Sequence, residues 1–314
     1  MLLSERIGRR IKLQDLHVLM TVVQAGSMNK AAALLNTGQS AISRSIGELE
    51  RTVGVRLLDR NPQGVEPTEY GRALLSGGAA VFDDLRQAVK NIEFLADPAA
   101  GEVRIGCNPF LAASFVSAVI DRLSRRYPRM VFHLVAADTE ALHRDLHERK
   151  VDLLVARRFS SIADEREGFE FLFYDSYVVA AGARSPWVRR RRVELAKLAD
   201  QSWILPPPES QIRKVAMEAF RASGLAYPRV TVVTGTPQVR MSFVATGRFL
   251  SIFPMSALRF PTRHPEVKIL PVELPLNRVA IGIVTLKNRT LSPVAQLFAN
   301  NARDVAKPMA TRKG

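Results

Sequence analysis

The sequence predicts an α/β protein of 314 residues in two parts. A small helical domain with a β-wing comes first, then one long helix, then a larger region of alternating strands and helices. Three observations predict this. Residues 27–53 hold two short helical segments separated by a break. Residues 69–96 form one uninterrupted helical pattern. After residue 101 short apolar runs alternate with amphipathic segments, the pattern of strands joined by helices and hence of a parallel sheet.

Taken in order, residues 13–25 form a first helix with Leu16, Leu19, Met20 and Val23 facing a core and His17 in a surface or packing role. Ser27 is a suitable N-cap for a helix over Met28–Leu35. Asn36-Thr37-Gly38 breaks that helix. A second helix follows from Gln39 to Val53. Ala41, Ile42, Ile46, Leu49 and Val53 form its apolar stripe, and Gln39, Ser40, Ser43 and Arg44 lie off the stripe. Two short helices with a tight turn describe a helix-turn-helix. Gln pairs with adenine edges, Arg with guanine or phosphate, and Ser with either. The same residues also fit two core helices of an ordinary helical domain. Val55–Arg60 then reads as a strand, Asn61–Gly64 as a turn and Val65–Thr68 as a return. This is a β-wing with Arg60 at its edge.

The run AAALLNTGQSAISRSIGELERTVGVRLLDRNPQGVEPTEYG resembles the winged helix-turn-helix of LysR-type transcriptional regulators. Ala31, Ala32, Gln39, Ala41, Ser43, Arg44, Ile46, Leu49, Glu50, Gly54, Leu57, Arg60, Thr68 and Gly71 fit the family pattern. The resemblance implies that Thr37, Gln39, Ser40, Ser43, Arg44 and Arg60 meet double-stranded DNA at a pseudo-palindromic operator. Two positions depart from the pattern. Gly38 replaces the usual Ser, which weakens the helix cap or shifts it to Thr37, and Ser40 replaces the usual Pro. Arg6, Arg9, Arg10 and Lys12 stand ahead of the first helix, either as phosphate contacts or as a solvated basic tail.

In the long helix, Leu74, Gly78, Val81, Leu85, Ala88, Ile92 and Leu95 recur at alternating spacings of four and three. That is a heptad seam on a rod of about 40 Å, at roughly 1.5 Å per residue. The resemblance implies a linker helix that pairs subunits in a homodimer or homotetramer. Asp97–Gly101 is a hinge. Beyond it, strands are expected at 102–107, 131–136, 151–156, 203–205, 229–234, 249–253 and 278–286, and helices at 111–127, 138–149, 193–200, 210–223, 237–246 and 292–305. The pattern restarts at 170–181. Two α/β units with a returning last segment resemble the periplasmic-binding-protein type II-like effector domain of the same family. The expected domains are 1–68, the winged helix-turn-helix; 69–97, the linker and dimerisation helix; 101–305, the effector-binding domain; and 306–314, a C-terminal tail. Within the third, one subdomain takes 101–169 and 277–305 and the other 170–276.

Composition narrows the function. The hydrophobic fraction of 47% is ordinary for a globular chain. One cysteine, Cys107, allows no internal disulfide, which fits a reducing compartment. Neither a signal peptide nor a membrane span is read, so the expected location is cytoplasmic, with no membrane partner. The net charge of +15 falls mostly after residue 101, so the motif and not bulk charge argues for DNA. No nucleotide-binding or hydrolase motif is found. The expectation is no enzyme, no cofactor and no metal. His143 and His147, with Glu140 upstream, have the spacing of a metal pair but read well as a solvated helix face. Cys107 reads as a buried, inert thiol, and Arg189–Arg192 as a solvated loop run.

In an open parallel sheet, ligands bind beyond the carboxyl ends of the strands and against helix N-termini. By place in the pattern, the small-molecule effector is expected at Asn108, Phe110, Thr139, Arg157, Pro207, Ser210 and Thr236. Arg157 offers a fork for a carboxylate and Phe110 a flat face, which suits an aromatic or other organic acid. A sugar or sugar acid is the competing class. The expected function is a DNA-binding regulator modulated by that effector. The alternatives are a ligand-independent regulator of the same fold, or a solute-binding or enzyme-like α/β module that does not act on DNA.

Overall fold

The structure, a computed structural model, describes residues 10–61, 64–158, 164–259, 265–276 and 278–310. The chain divides into two compact units, Met1–Val89 and Lys90–Gly314.

The first unit opens with helices α1 (Leu13–Ala25), α2 (Met28–Leu34) and α3 (Gln39–Val53). Its core is Val18, Leu19, Val22, Ala31, Ile42, Ile46, Leu49 and Leu57. Met20 and Val23 are only half-buried, and Ala41, expected on the apolar stripe, is exposed. Ser27 caps α2 by accepting from Lys30 N–H. Gly38 caps α3 with no side-chain bond, so the cap does not shift to Thr37. Gly54 ends α3 at φ 85, a left-handed turn that a side chain would strain.

Strands β1 (Leu58–Asn61) and β2 (Gly64–Pro67) pair antiparallel as the wing. Single polar groups fix it. Glu50 Oε1 accepts Leu57 N–H at 2.8 Å and Leu58 N–H at 3.2 Å. Thr68 Oγ1 donates to Arg56 O at 2.8 Å and accepts Gly71 N–H at 3.0 Å. A Cβ on Gly71 would collide with Leu57 O, so only glycine lets the next helix, α4 (Glu69–Ala96), start this close to the wing. These contacts give a structural role to Glu50, Thr68 and Gly71, three of the residues that fit the family pattern.

The seam of α4 divides. Leu74 packs on the winged core, and Gly78 is buried, a Cβ there lying 3.7 Å from Leu16. These two positions are spent inside their own unit. Val81, Leu85, Ile92 and Leu95 are exposed, Leu95 to 80%. His17 lies 6.0 Å from the Phe82 ring, a packing role.

The second unit begins its first sheet with β3 (Ala100–Cys107), followed by α5 (Pro109–Leu111), a π-helical turn Ala112–Val116 and α6 (Ser117–Arg126). The single helix expected over 111–127 is thus a broken one that starts earlier. Then come β4 (Arg129–Ala136), α7 (Thr139–His147), β5 (Leu153–Arg158) and β6 (Glu167–Asp175). The chain crosses into a second sheet with β7 (Tyr177–Gly182), β8 (Trp203–Leu205), α8 (Gln211–Ala222), β9 (Val230–Val233), α9 (Pro237–Ala245), β10 (Leu250–Pro254), α10 (Met255–Arg259) and β11 (Val267–Ile269). It returns with β12 (Val279–Leu286) and α11 (Pro293–Ala310). The helix expected near 193–200 is a short 3-10 turn, Leu195–Leu198. The segment 170–181 is two strands on two sheets.

The sheet orders are β4-β3-β5-β12-β6 and β11-β7-β10-β8-β9. Both are mixed, which corrects the expectation of a purely parallel sheet. β4, β3 and β5 are parallel, but β12 runs antiparallel to β5 and β6. β8 is parallel to β9 and β10, but β7 runs antiparallel to β10 and β11. The reason is connectivity: β7 and β12, the strands that run against their neighbours, are each reached by crossing from the other sheet, not through a right-handed βαβ unit within one. Each sheet has its own core, one around Ile105, Phe115, Phe173 and Phe298, the other around Trp203, Phe220 and Ile252.

Candidate functional site

On the first unit, α3 buries Ile42, Ile46 and Leu49 and leaves its opening turns outward. Thr37, Gln39, Ser40 and Arg44 are exposed and Ser43 is half-buried. The wing brings exposed Arg60 to the same face, its Nη1 3.4 Å from Ser43 Oγ. Amide, hydroxyl and guanidinium donors therefore share one convex surface, the side-chain set that reads base edges and phosphates. Arg10 is exposed, as is Lys12, whose backbone N–H donates to Asp15. Arg6 and Arg9 lie outside the described residues.

On the second unit, the carboxyl ends of β3, β5 and β8 and the starts of α7, α8 and α9 border a cleft of about 960 Å³. Asn108, Phe110, Thr139, Arg157, Pro207 and Ser210 line it. Thr236 does not; its neighbours Gly235 and Pro237 do, and Thr236 is exposed beside them. Several polar groups are already committed to local structure. Asn108 Oδ1 accepts Phe110 N–H and Leu111 N–H, both at 3.1 Å. Ser210 Oγ accepts Arg213 N–H at 3.1 Å, and Asp138 caps α7 at Ala141 N–H. At these positions the Asn108 amide NH₂, the Ser210 hydroxyl proton and the Thr139 side chain remain for a ligand.

Phe110 differs from the expectation of a free aromatic wall. Its ring is buried, edge-on to Phe253 at 5.9 Å and under the Arg240 guanidinium at 5.4 Å. The aromatic group that fits such a role is Tyr177, which lines the cleft with a buried hydroxyl that has no partner. Burial, reinforced by Asp175 and opposed by Arg157, holds its phenol above the ordinary value, so it is a proton donor at neutral pH. Arg157 is a buried group and not a surface charge: its side chain is 7% exposed, and Nη2 stands 3.5 Å from Asp175 Oδ2.

Sequence reading missed Tyr177 and Arg240, because a first-of-strand tyrosine and a mid-helix arginine carry no local signal. Arg240 is wholly buried on the cleft, donates to Ser251 Oγ at 2.9 Å and to Ile252 O, and packs on two phenyl rings. Among the described residues no carboxylate pairs with it, and burial pulls its guanidinium down to about 9. The chemistry available is a largely apolar cleft with buried guanidinium groups in its depth.

His143 Nδ1 hydrogen-bonds Glu167 Oε1 at 2.7 Å, and His147 Nε2 stands 2.9 Å from the same oxygen and 3.4 Å from Asp164 Oδ2, so both turn to Glu167 and not to Glu140. Among the described residues, no group of three His, Cys, Asp or Glu side chains is arranged to hold a metal ion. Cys107 is buried and its thiol is pushed up to about 12 by that burial. Arg189–Arg192 are exposed. Among the described residues no helix is long and apolar enough to cross a membrane.

Residues 13–72 match the family model for the bacterial regulatory helix-turn-helix protein, lysR family, and residues 96–307 match the LysR substrate binding domain. The regulator GbpR of Azospirillum brasilense is 26% identical over 91% of this chain and 84% of its own length. The dual regulator GltC of Bacillus subtilis (strain 168) is 27% identical over 92% and 95%. In fold, the chain is similar to a full-length OxyR variant from Pseudomonas aeruginosa, with TM-score 0.69, 20% identity and coverage of 97% and 99%. It is also similar to full-length CbnR complexed with its target DNA, with TM-score 0.55, 19% identity and coverage of 94% and 100%.

Proposed function

We propose, from the premise that this chain belongs to the LysR family of bacterial helix-turn-helix regulators, that it binds a pseudo-palindromic operator as a homodimer or homotetramer and responds to a small organic acid held in its cleft. The observation that carries the DNA-binding half is the outward face of α3, where Gln39, Ser40, Ser43 and Arg44 meet Arg60 of the wing. Two-fold symmetry of the protein matches two-fold symmetry of such a site. The exposed stretch of α4 from Val81 to Leu95 supplies an apolar seam for the pairing, with residues 69–97 as the linker and dimerisation helix between the winged domain and the effector domain.

The organic-acid reading rests on Arg157, whose buried guanidinium lines the cleft. A carboxylate is the group that a buried arginine fork binds best. A neutral sugar held by Asn108, Thr139 and Ser210 is the competing ligand, and these residues line the same cleft. Mapping the DNA bound by the full chain across its genome tests the proposal. The expected result is a small set of promoters sharing an inverted repeat, with neighbouring genes that handle the effector. Uniform, sequence-independent occupancy would overturn it.

A further inference from the structure

The chain passes from the first sheet to the second through one residue. Asp175 ends β6, Ser176 stands alone, and Tyr177 begins β7. Asp175 fastens this crossover. Its Oδ1 accepts Ser176 N–H at 3.0 Å and Ser256 N–H at 3.1 Å, and its Oδ2 accepts the Ser256 hydroxyl at 2.7 Å. Met255 N–H closes the clamp on Ser176 O at 2.7 Å. Ser256 and Met255 belong to α10, so a carboxylate from one sheet holds a helix that follows a strand of the other.

Arg157 leans on this clamp without completing it. Nη2 is 3.5 Å from Asp175 Oδ2, an ion pair without a hydrogen bond, and both Nε and Nη2 are buried with no partner. Asp175 is already accepting three hydrogen bonds, which accounts for the incomplete pairing. Nε–H and Nη2–H lie along one edge of the guanidinium, the edge that takes both oxygens of a carboxylate. Beside it the Tyr177 hydroxyl is buried and equally without a partner. Both residues line the cleft. Buried donors left unmatched are rare in folded proteins, and three on two neighbouring residues mark a place built for an acceptor.

We propose that a carboxylate of the cleft ligand takes the Nε–Nη2 edge of Arg157 together with the Tyr177 hydroxyl, in competition with Asp175, so that the ligand's charge is read at the crossover between the two sheets. This rests on the cleft being the effector site, as proposed above. Asp175 is then a positioning residue. It holds Arg157 loosely enough to be displaced and sets the threshold that an anion must exceed. A neutral amide of the same shape offers Arg157 one carbonyl acceptor but neither the second oxygen nor the charge that would compete with Asp175.

The test is calorimetric titration of the full chain with acetate and with its neutral counterpart acetamide, at constant ionic strength, after thermal melting has confirmed folding. Asp175→Asn keeps a side-chain acceptor for the Ser256 N–H but withdraws the competing charge. It should bind acetate at least about tenfold more tightly than the parent. Adding Tyr177→Phe should remove several-fold of that gain, and acetamide should gain nothing. Tyr177→Phe alone should weaken acetate and leave acetamide unchanged, which keeps the test open should Asp175→Asn fail to fold. Acetate affinity that is unchanged, lower or undetectable in Asp175→Asn overturns the proposal, as does an equal gain for acetamide. No DNA enters the experiment. A chain that gains acetate but ignores every effector on its operator would sink the regulatory reading alone, and the reverse pattern would sink this proposal alone.

Discussion

Two buried arginines border the cleft, and their surroundings assign them different work. Arg240 spends its donors on Ser251 and Ile252 O and its faces on Phe110 and Phe253. Arg157 keeps two donors unspent. Arg157→Ala should therefore lower affinity for an organic-acid effector by about 1.5–3 kcal/mol, or roughly ten- to a hundredfold. Asn108→Ala should cost much less, and calorimetry on the identified effector compares them; the reverse order would favour a sugar. On the recognition face, Gln39→Ala should cost about 1–3 kcal/mol at one half-site position and relax base preference there. Arg60→Ala should weaken all sequences alike and lower the salt dependence, measured as the slope of log affinity against log salt. Cys107 gives a pH prediction. Burial pushes its folded thiol up to about 12, above its ordinary value, so the unfolded chain ionises first as pH rises. The stability this thiol contributes is complete at neutral pH and is lost between about 9 and 12. The stability difference between the parent and Cys107→Ala should shrink across that window, and iodoacetamide should label the native thiol slowly and the unfolded one fast.

The helix α4 shows how far periodicity carries and where it stops. Its bounds and its seam are legible, because heptad spacing depends only on the helical repeat. Which seam positions are spent inside the unit is not legible, since that depends on Leu16 and the winged core lying against Gly78 and Leu74. The exposed remainder makes a sharp prediction. Leu85, 49% exposed, should lie in an intersubunit contact, and Leu85→Asp would bury an unpaired carboxylate there. Light scattering should show loss of the dimer while the effector domain melts normally; a retained dimer would remove the seam. The strands of the second unit are legible for a similar reason, since EVRIGC and VDLLVA are apolar runs of strand length. Their direction is not, because antiparallel β12 and β7 are set by crossings between sheets that no local pattern records. The strand-end rule places Asn108, Arg157 and Ser210 on the cleft but fails at Thr236, which is exposed between two lining neighbours, and it says nothing of Tyr177.

At the scale of the molecule, a buried ion pair joins the returning segment to the first sheet. Arg289 Nη2 lies 2.9 Å from Asp152 Oδ1, with side chains 2% and 5% exposed, and Asp152 also accepts Arg104 N–H. Arg289→Met would leave a buried carboxylate without its cation and should cost about 3–5 kcal/mol, read from chemical denaturation of the full chain. The helix-turn-helix match falls in one unit and the substrate-binding-domain match in the other, each unit with its own core. The central claim is that α3 and the wing read a specific operator. Its most direct measurement is the affinity of the full chain for a duplex carrying the mapped inverted repeat and for a scrambled duplex, by fluorescence anisotropy at one fixed salt concentration. The account predicts that the repeat binds about a thousandfold or more tightly, and that Gln39→Ala and Arg44→Ala narrow the ratio. Equal affinity for the two duplexes, in the parent and in both variants, would contradict it.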